Sequence, residues 1–419
     1  MNPLVTGERL DVLAQMGQPE VLEDPWPLFA RLRQTSPLHP NPTGELCLLS
    51  RHADVHAALR SPRLRRMTPE EIAVRDPWAA RSHAVRAVAR SMVNVDRPEH
   101  TRLRRVVAPL FTARHIADRR AAVERRCASL SAPLLARLHE GDTVDLHSEL
   151  TRPLAVHVIA DLLGIPEARR ETHAARMITV FDALYLAEGD EGMLLANAAA
   201  QAFEEECAEL LAHPPQHSAR PDAISLLTAG TDGPAGLRLT EDESITMLWL
   251  LWVAGFETSI AGMDNAVVEM LRHPEQALVL DASEAEALMF VEECLRHAPP
   301  LWLSRTWSVA LSGAELPSGT VPEGWAVGLL AASACRDPAA HPDPDRFVPR
   351  RRAPRNPVFG GGIHACLGAE LTRLEMLVVL THLHRDWPAL ELAGPPVRRT
   401  RTTLLGFDRV PVRLAPARP

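Results

Sequence analysis

The chain has 419 residues, 46% hydrophobic and 23% charged, which is enough to bury a large core, and its 36 prolines are spread without a repeat or low-complexity linker, so a single domain over 1–419 is expected. All 45 residues of the Lys+Arg total are arginine, and the absence of lysine excludes the usual Walker phosphate loop, pyridoxal Schiff base and kinase phosphate clamp. The net charge of -8 argues against general nucleic-acid binding, and six cysteines without close pairing give no disulfide framework.

The first residues, MNPLVTGERLDVLAQMG, carry early charges and lack the apolar centre of a signal peptide. Helical periodicity then dominates, with helices expected near 25–34, 52–60, 100–110, 115–139, 149–163, 167–187, 194–212, 241–272, 284–297 and 367–385. Strand signals are short: 46–49, 306–310, 325–330 after the Pro322-Glu323-Gly324 turn, and a C-terminal pair within 400–414. The fold class is therefore mainly α with small β-sheets. The longest apolar run, Ile245 to Phe256, is too short to span a bilayer, so no membrane association and a cytoplasmic location are expected.

Within this order, several patterns carry chemistry. His100 and Arg104 lie one helical turn apart and could grip an anion together, although a solvated face has the same spacing. Thr240 and Glu243 form a capping box at the start of a helix of roughly thirty residues, long enough to cross the whole domain. Inside it, Ala254 to Ser259 reads AGFETS, where Gly255 costs about 1 kcal/mol relative to alanine. That cost is reasonable if a ligand needs room there and if the Thr258 hydroxyl bonds a carbonyl one turn back. Glu293 and Arg296 form an E-x-x-R pair that any helix surface can offer.

The most specific stretch is Phe359 to Gly368, FGGGIHACLG. It sets Cys366 on a glycine-rich loop at the start of a helix, whose positive end should lower the thiol pKa and favour the thiolate. Loop N–H groups could hydrogen-bond the sulfur. Gly360, Gly362 and Ala365 also satisfy a dinucleotide-loop pattern, but Arg350 to Val358 holds two prolines and four arginines where that loop needs a buried strand. Cys47, Cys127, Cys207, Cys294 and Cys335 read as core residues.

FGGGIHACLG resembles the cysteine-ligand loop of the cytochrome P450 family, the haem-thiolate monooxygenases, and matches F-x-x-G-x-H-x-C-x-G throughout. The resemblance extends from about Asp24 onward. It implies the P450 fold, a long central helix over haem b (iron protoporphyrin IX), and Cys366 as its thiolate axial ligand. Phe359, Gly360, Gly362 and Gly368 would shape the cofactor loop. AGFETS resembles the family's oxygen groove, so Ala254 and Gly255 would flank the oxygen, Thr258 would hydrogen-bond it, and Glu257 would relay protons. His100, Arg104, Arg305 and His364 would hold the haem carboxylates, and Glu293, Arg296 and Arg346 would form a buried structural network. The family often has Asn where this chain has Cys335.

The resemblance also places Leu250, Val253, Leu301, Trp302 and Leu303, with the stretch from about 65 to 95, around a pocket for a small hydrophobic substrate of secondary metabolism. Trp249, Trp252 and Trp302 read more readily as core than as rings stacked on a substrate. With no flavin or iron–sulfur domain present, electrons would come from a ferredoxin and its ferredoxin reductase, and O2 would be the co-substrate. Arg350, Arg351, Arg352 and Arg355 would face that donor or simply solvent. Oxidative coupling, a peroxide-driven reaction or a non-catalytic haem sensor are the alternatives on this scaffold.

Overall fold

Thr240 accepts the backbone N–H of Glu243 through its side chain, and the Glu243 carboxylate accepts the N–H of Thr240, so two otherwise orphaned donors are satisfied at the start of the longest helix. This central helix, Glu241–Arg272, has 32 residues, or about 48 Å of length, and stops at His273 before Pro274, which cannot donate to continue it. It is long and apolar enough to cross a membrane, but 78% of its most apolar window is buried within the protein. The architecture is that of a computed structural model, which describes residues 11–42, 45–77, 79–186, 189–215, 221–231, 238–352, 354, 356–399 and 404–416. Arg355, part of the expected C-terminal strand pair and the Arg305 side chain lie outside the described set.

Helices pack around the central one because it is apolar on nearly every face. Arg152–Leu163 lies against one side, entered through Pro153 and ended by Gly164 at φ 84°, a left-handed conformation that glycine adopts without a Cβ clash. Ala369–Asp386 lies against another side, burying Leu371, Leu374, Leu377 and Val378. Gly189–Ala212 packs on it as well and pairs with Glu167–Leu186.

A five-stranded sheet forms in the order Leu38–Asn41, Leu46–Leu49, Ala326–Leu329, Ser304–Ala310, Leu64–Arg66. Only the pairing of Leu46–Leu49 with Ala326–Leu329 is parallel, and it ties the N-terminal quarter to the segment before the cysteine loop. Its last pairing sets Arg66 opposite Ser308. A smaller sheet joins Val144–Asp145, Pro411–Leu414 and Leu390–Leu392.

The expected 241–272 and 284–297 helices and the 46–49 strand occur with those bounds. The expected 115–139 helix is divided: Thr112 caps a short Ala113–Ala117 helix, and the long one begins at Arg120. Pro69–Arg75 and His83–Arg90, capped by Thr68 and Ser82, are two helices that periodicity did not reveal. Each has two turns, too few for an apolar stripe to repeat.

Candidate active site

The cysteine loop is built by glycines in conformations other residues avoid. Gly360 and Gly362 have φ of 66° and 64°, and a Cβ on Gly362 would stand 2.5 Å from the Leu59 carbonyl oxygen. The turn closes when the Cys366 N–H donates to the Phe359 oxygen at 2.8 Å, while the Arg373 guanidinium lies 4.6 Å over the Phe359 ring. A Cβ on Gly368 would meet nothing within 4 Å, so the loop is open in front of that residue.

Cys366 differs from the other five cysteines, all buried, in keeping accessible surface. Its sulfur is nevertheless hemmed in by protein, and that desolvation raises the thiol pKa. The Gly368 and Ala369 N–H groups and the charges of Arg104 and Arg373 pull the other way without prevailing. The expectation of a lowered thiol pKa is thus corrected: the helix start does favour the thiolate, but burial of an uncompensated charge outweighs it.

The central helix has a break in its burial. From Thr246 to Met270 every residue is buried except Ala254, Gly255 and Thr258. Ala254 and Thr258 share a face at i, i+4, and the Thr258 hydroxyl donates to the Ala254 oxygen at 2.8 Å, the back-bond expected from the sequence. Gly255 is also required for packing. A Cβ there would lie 2.6 Å from Ile159 Cδ1, so this glycine allows the helix Arg152–Leu163 to pack closely. Ser259 lies 3.5 Å from Thr372 on the helix that follows Cys366, which ties the groove to the cysteine side.

Glu257 is 2% exposed and paired with Arg399, a residue no sequence signal singled out among the C-terminal arginines. Arg399 also donates through Nε to Asp408 Oδ1 at 3.1 Å, and the Asp408 side chain is 45% exposed. The chain Glu257–Arg399–Asp408 therefore runs from the groove to solvent. Buried Asp264 lies near Arg399 and accepts from Thr151 Oγ1 at 2.5 Å and His147 Nδ1 at 2.7 Å.

Three of the four expected anion-binding residues come together. Arg104 Nη1 donates to the Ala365 oxygen at 2.7 Å, and the His100 and His364 rings meet edge-on at 4.4 Å. Burial first, then neighbouring arginines, lower both histidines to about 4, so they are neutral donors at pH 7. His100 Nδ1 is buried without a hydrogen-bond partner, an orphan that a ligand atom would satisfy.

The structural network needs a correction. Arg296 binds Glu293 through both carboxylate oxygens at 2.7 and 2.8 Å, with both side chains 3% exposed. The expected third member, Arg346, is 77% exposed and only 4.0 Å from Asp343. Arg351 takes its place, 9% exposed, with Nε 3.5 Å from Glu293. Its Nη2 donates to the oxygens of Asp343 and Arg346, so Arg346 contributes its backbone alone. The chain turns at Asp343, a positive-φ residue, and beyond it the Arg346 side chain lies outward. Cys335, in place of the family's frequent Asn, donates its thiol to Asn356 Oδ1 at 3.2 Å, and its oxygen accepts from Arg296.

Two expected pocket residues belong elsewhere. Trp302 and Leu303 are 1% and 5% exposed within a separate N-terminal core beside Phe29, Leu32 and Val12, with the Trp302 and Phe29 rings edge-on at 5.8 Å. Leu250 and Val253 are 7% and 5% exposed near the groove, and Leu301 is half-buried and bridges to Leu404.

A sequence profile of the cytochrome P450 family matches residues 287–389, the span from the E-x-x-R helix through the cysteine loop. Cytochrome P450 BJ-3 of Bradyrhizobium diazoefficiens is 34% identical over 96% of this chain and 96% of that protein. The chain belongs to the cytochrome P450 family. Vitamin D(3) 25-hydroxylase of Pseudonocardia autotrophica is 32% identical over 94% of each chain, and the crystal structure of CalO2 superposes with a TM-score of 0.83 at 26% identity, covering 96% of this chain and 98% of that one. As a P450, the protein is an oxidoreductase that incorporates molecular oxygen. Its own residues fit the haem-thiolate group the family implies: one accessible thiol with backbone donors on its sulfur, an orphaned His100 nitrogen, and a cluster of cations suited to two carboxylates.

Proposed function

We propose that the chain binds haem b with Cys366 as thiolate ligand and inserts one oxygen atom of O2 into a small hydrophobic secondary metabolite, by hydroxylation or epoxidation. Electrons come from a ferredoxin and its reductase. The observation that carries this reading is that the Cys366 side chain keeps accessible surface on its glycine loop while Ala254 and Thr258 interrupt the burial of the central helix. The name of the 25-hydroxylase relative favours hydroxylation of an apolar carbon.

The bound haem supplies a redox-active iron at which O2 is reductively activated. The protein's part is charge and proton control. The Gly368 and Ala369 N–H groups, with Arg104 and Arg373, would stabilise the negative charge of the Cys366 sulfur once the iron compensates its desolvation. Incorporating one oxygen atom and releasing the other as water consumes two protons and two electrons. Thr258 Oγ1 offers a hydroxyl at the groove, and the Glu257 carboxylate is the nearest buried acid in the helix, connected outward through Arg399 and Asp408. Leu250 and Val253 are buried apolar neighbours of the groove, which leaves Thr258 and Glu257 as the polar groups of this stretch suited to pass protons, with Arg399 holding the Glu257 carboxylate in place.

The absorption spectrum of the reduced, CO-bound protein tests the ligand. A thiolate-type band is expected, and a band typical of histidine ligation refutes Cys366. In Thr258→Ala, oxygen consumption should separate from product formation, and unchanged coupled turnover rules out its part in proton delivery.

A further inference from the structure

Strand Leu64–Arg66 carries two adjacent arginines, and alternation along a strand sends them to opposite faces. Arg65 finds an acid on its side, binding both oxygens of Glu71 at 2.6 and 2.5 Å. Arg66 turns inward, where burial lowers its pKa to about 10, and among the described residues no carboxylate lies within ion-pair distance of its guanidinium. Its Nε–H points at His364 Nε2 from 3.3 Å and its Nη1 at Ser308 Oγ from 3.5 Å. Asp96 accepts the Arg66 backbone N–H at 2.7 Å and reaches His364 at 3.4 Å.

Arg66 and Arg104, both desolvated, flank His100 and His364 with Asp96 as the one acid against them among the described residues, and Arg104 spends a donor on the Ala365 carbonyl. A buried cation without a counter-ion is costly, so the cluster is short of negative charge. Arg66 Nε and Asp96 Oδ1 approach the same ring nitrogen, His364 Nε2, at 3.3 and 3.4 Å, so the ring sits between a cation and its one nearby acid.

We propose that Arg66 is a carboxylate-binding residue of the cofactor clamp: with Arg104 it neutralises the haem's paired carboxylates, beside the hydrogen-bonding rings of His100 and His364. The proposal rests on the haem reading of the site. None of the sequence motifs marks this residue, because the arginine stands on a three-residue edge strand far from the cysteine loop in sequence.

The test compares holoprotein with Arg66→Met, Arg66→Lys and, as the control on the outer face, Arg65→Met. Haem transfer to excess apomyoglobin and the ferric/ferrous reduction potential are measured, with urea unfolding of each apoprotein alongside. Losing a charged hydrogen bond to a buried carboxylate should speed haem transfer about ten-fold in Arg66→Met. Removing positive charge should also make the potential more negative, with Arg66→Lys intermediate and Arg65→Met unchanged. Arg66→Met matching Arg65→Met overturns the proposal. So does faster haem loss at unchanged potential with a weakened apoprotein, which marks a purely structural arginine. A wild-type protein lacking the thiolate-type CO band overturns the haem reading together with this proposal, whereas a normal band with no effect of Arg66→Met overturns the proposal alone.

Discussion

Exchanging the two candidate third members of the Glu293 network separates them sharply. In Arg351→Met the Nε contact to Glu293 disappears, together with donors to the carbonyls of Pro342, Asp343 and Arg346. The side chain is 9% exposed, so water replaces these bonds poorly. Hydrogen bonds from charged groups contribute roughly 1.5–3 kcal/mol each, and truncating one member of a buried network costs about 3 kcal/mol in sum, since Glu293 keeps Arg296. For 419 residues the unfolding entropy is about 0.9 kcal/mol/K at ~2.1 cal/mol/K per residue, so that loss lowers Tm by about 3 °C. Arg346→Met removes a 77% exposed side chain whose nearest acid is 4.0 Å away, and its effect should stay within about 0.5 kcal/mol, below 1 °C. Thermal unfolding followed by circular dichroism measures both. Equal destabilisation by the two variants, or a neutral Arg351→Met, refutes the assignment of Arg351.

Arg399→Met leaves Glu257 buried without its partner and should cost about 3–5 kcal/mol, most of it recovered in Glu257→Gln/Arg399→Met; a strictly additive double variant in urea unfolding contradicts the pairing. Glu375 is 1% exposed, and desolvation raises it to about 8 against a weaker opposing contribution from the Ser259 hydroxyl. Its folded pKa exceeds the unfolded one, so the stability it contributes is present below about pH 4.5 and is lost as pH rises toward 8, at up to roughly 1.4 kcal/mol per pH unit. Glu375→Gln should remove that slope, and an unchanged stability profile between pH 5 and 8 refutes it. Gly362→Ala forces an L-residue to φ 64° with a Cβ 2.5 Å from a backbone oxygen, and should cost at least about 2 kcal/mol and lower haem content; an unchanged stability in urea unfolding contradicts the loop geometry.

Periodicity was a good guide where an element was long and one-sided. The 241–272 helix was legible to the residue because a capping box marks its start and His273-Pro274 its end. The 284–297 helix and the groove's Thr258 back-bond were equally legible, since caps and i, i+4 bonds are local. Pro69–Arg75 and His83–Arg90 escaped because two turns contain too little pattern, and the paired edge strands were too short to alternate.

For the site, the amino-acid order by itself determined the chemistry-bearing types and their local frames: Cys366 on its glycine loop, Thr258 a turn from Ala254, His100 a turn from Arg104, Glu293 beside Arg296. Each of these depends on neighbours within one or two turns. Tertiary structure alone decided which distant group completes each set. Arg351 takes the place expected of Arg346, Arg399 reaches Glu257 across 142 residues of sequence, and Gly255 packs against Ile159 on another helix. It also decided that the thiol pKa rises, because desolvation sums over every surrounding atom while a helix end is a local influence.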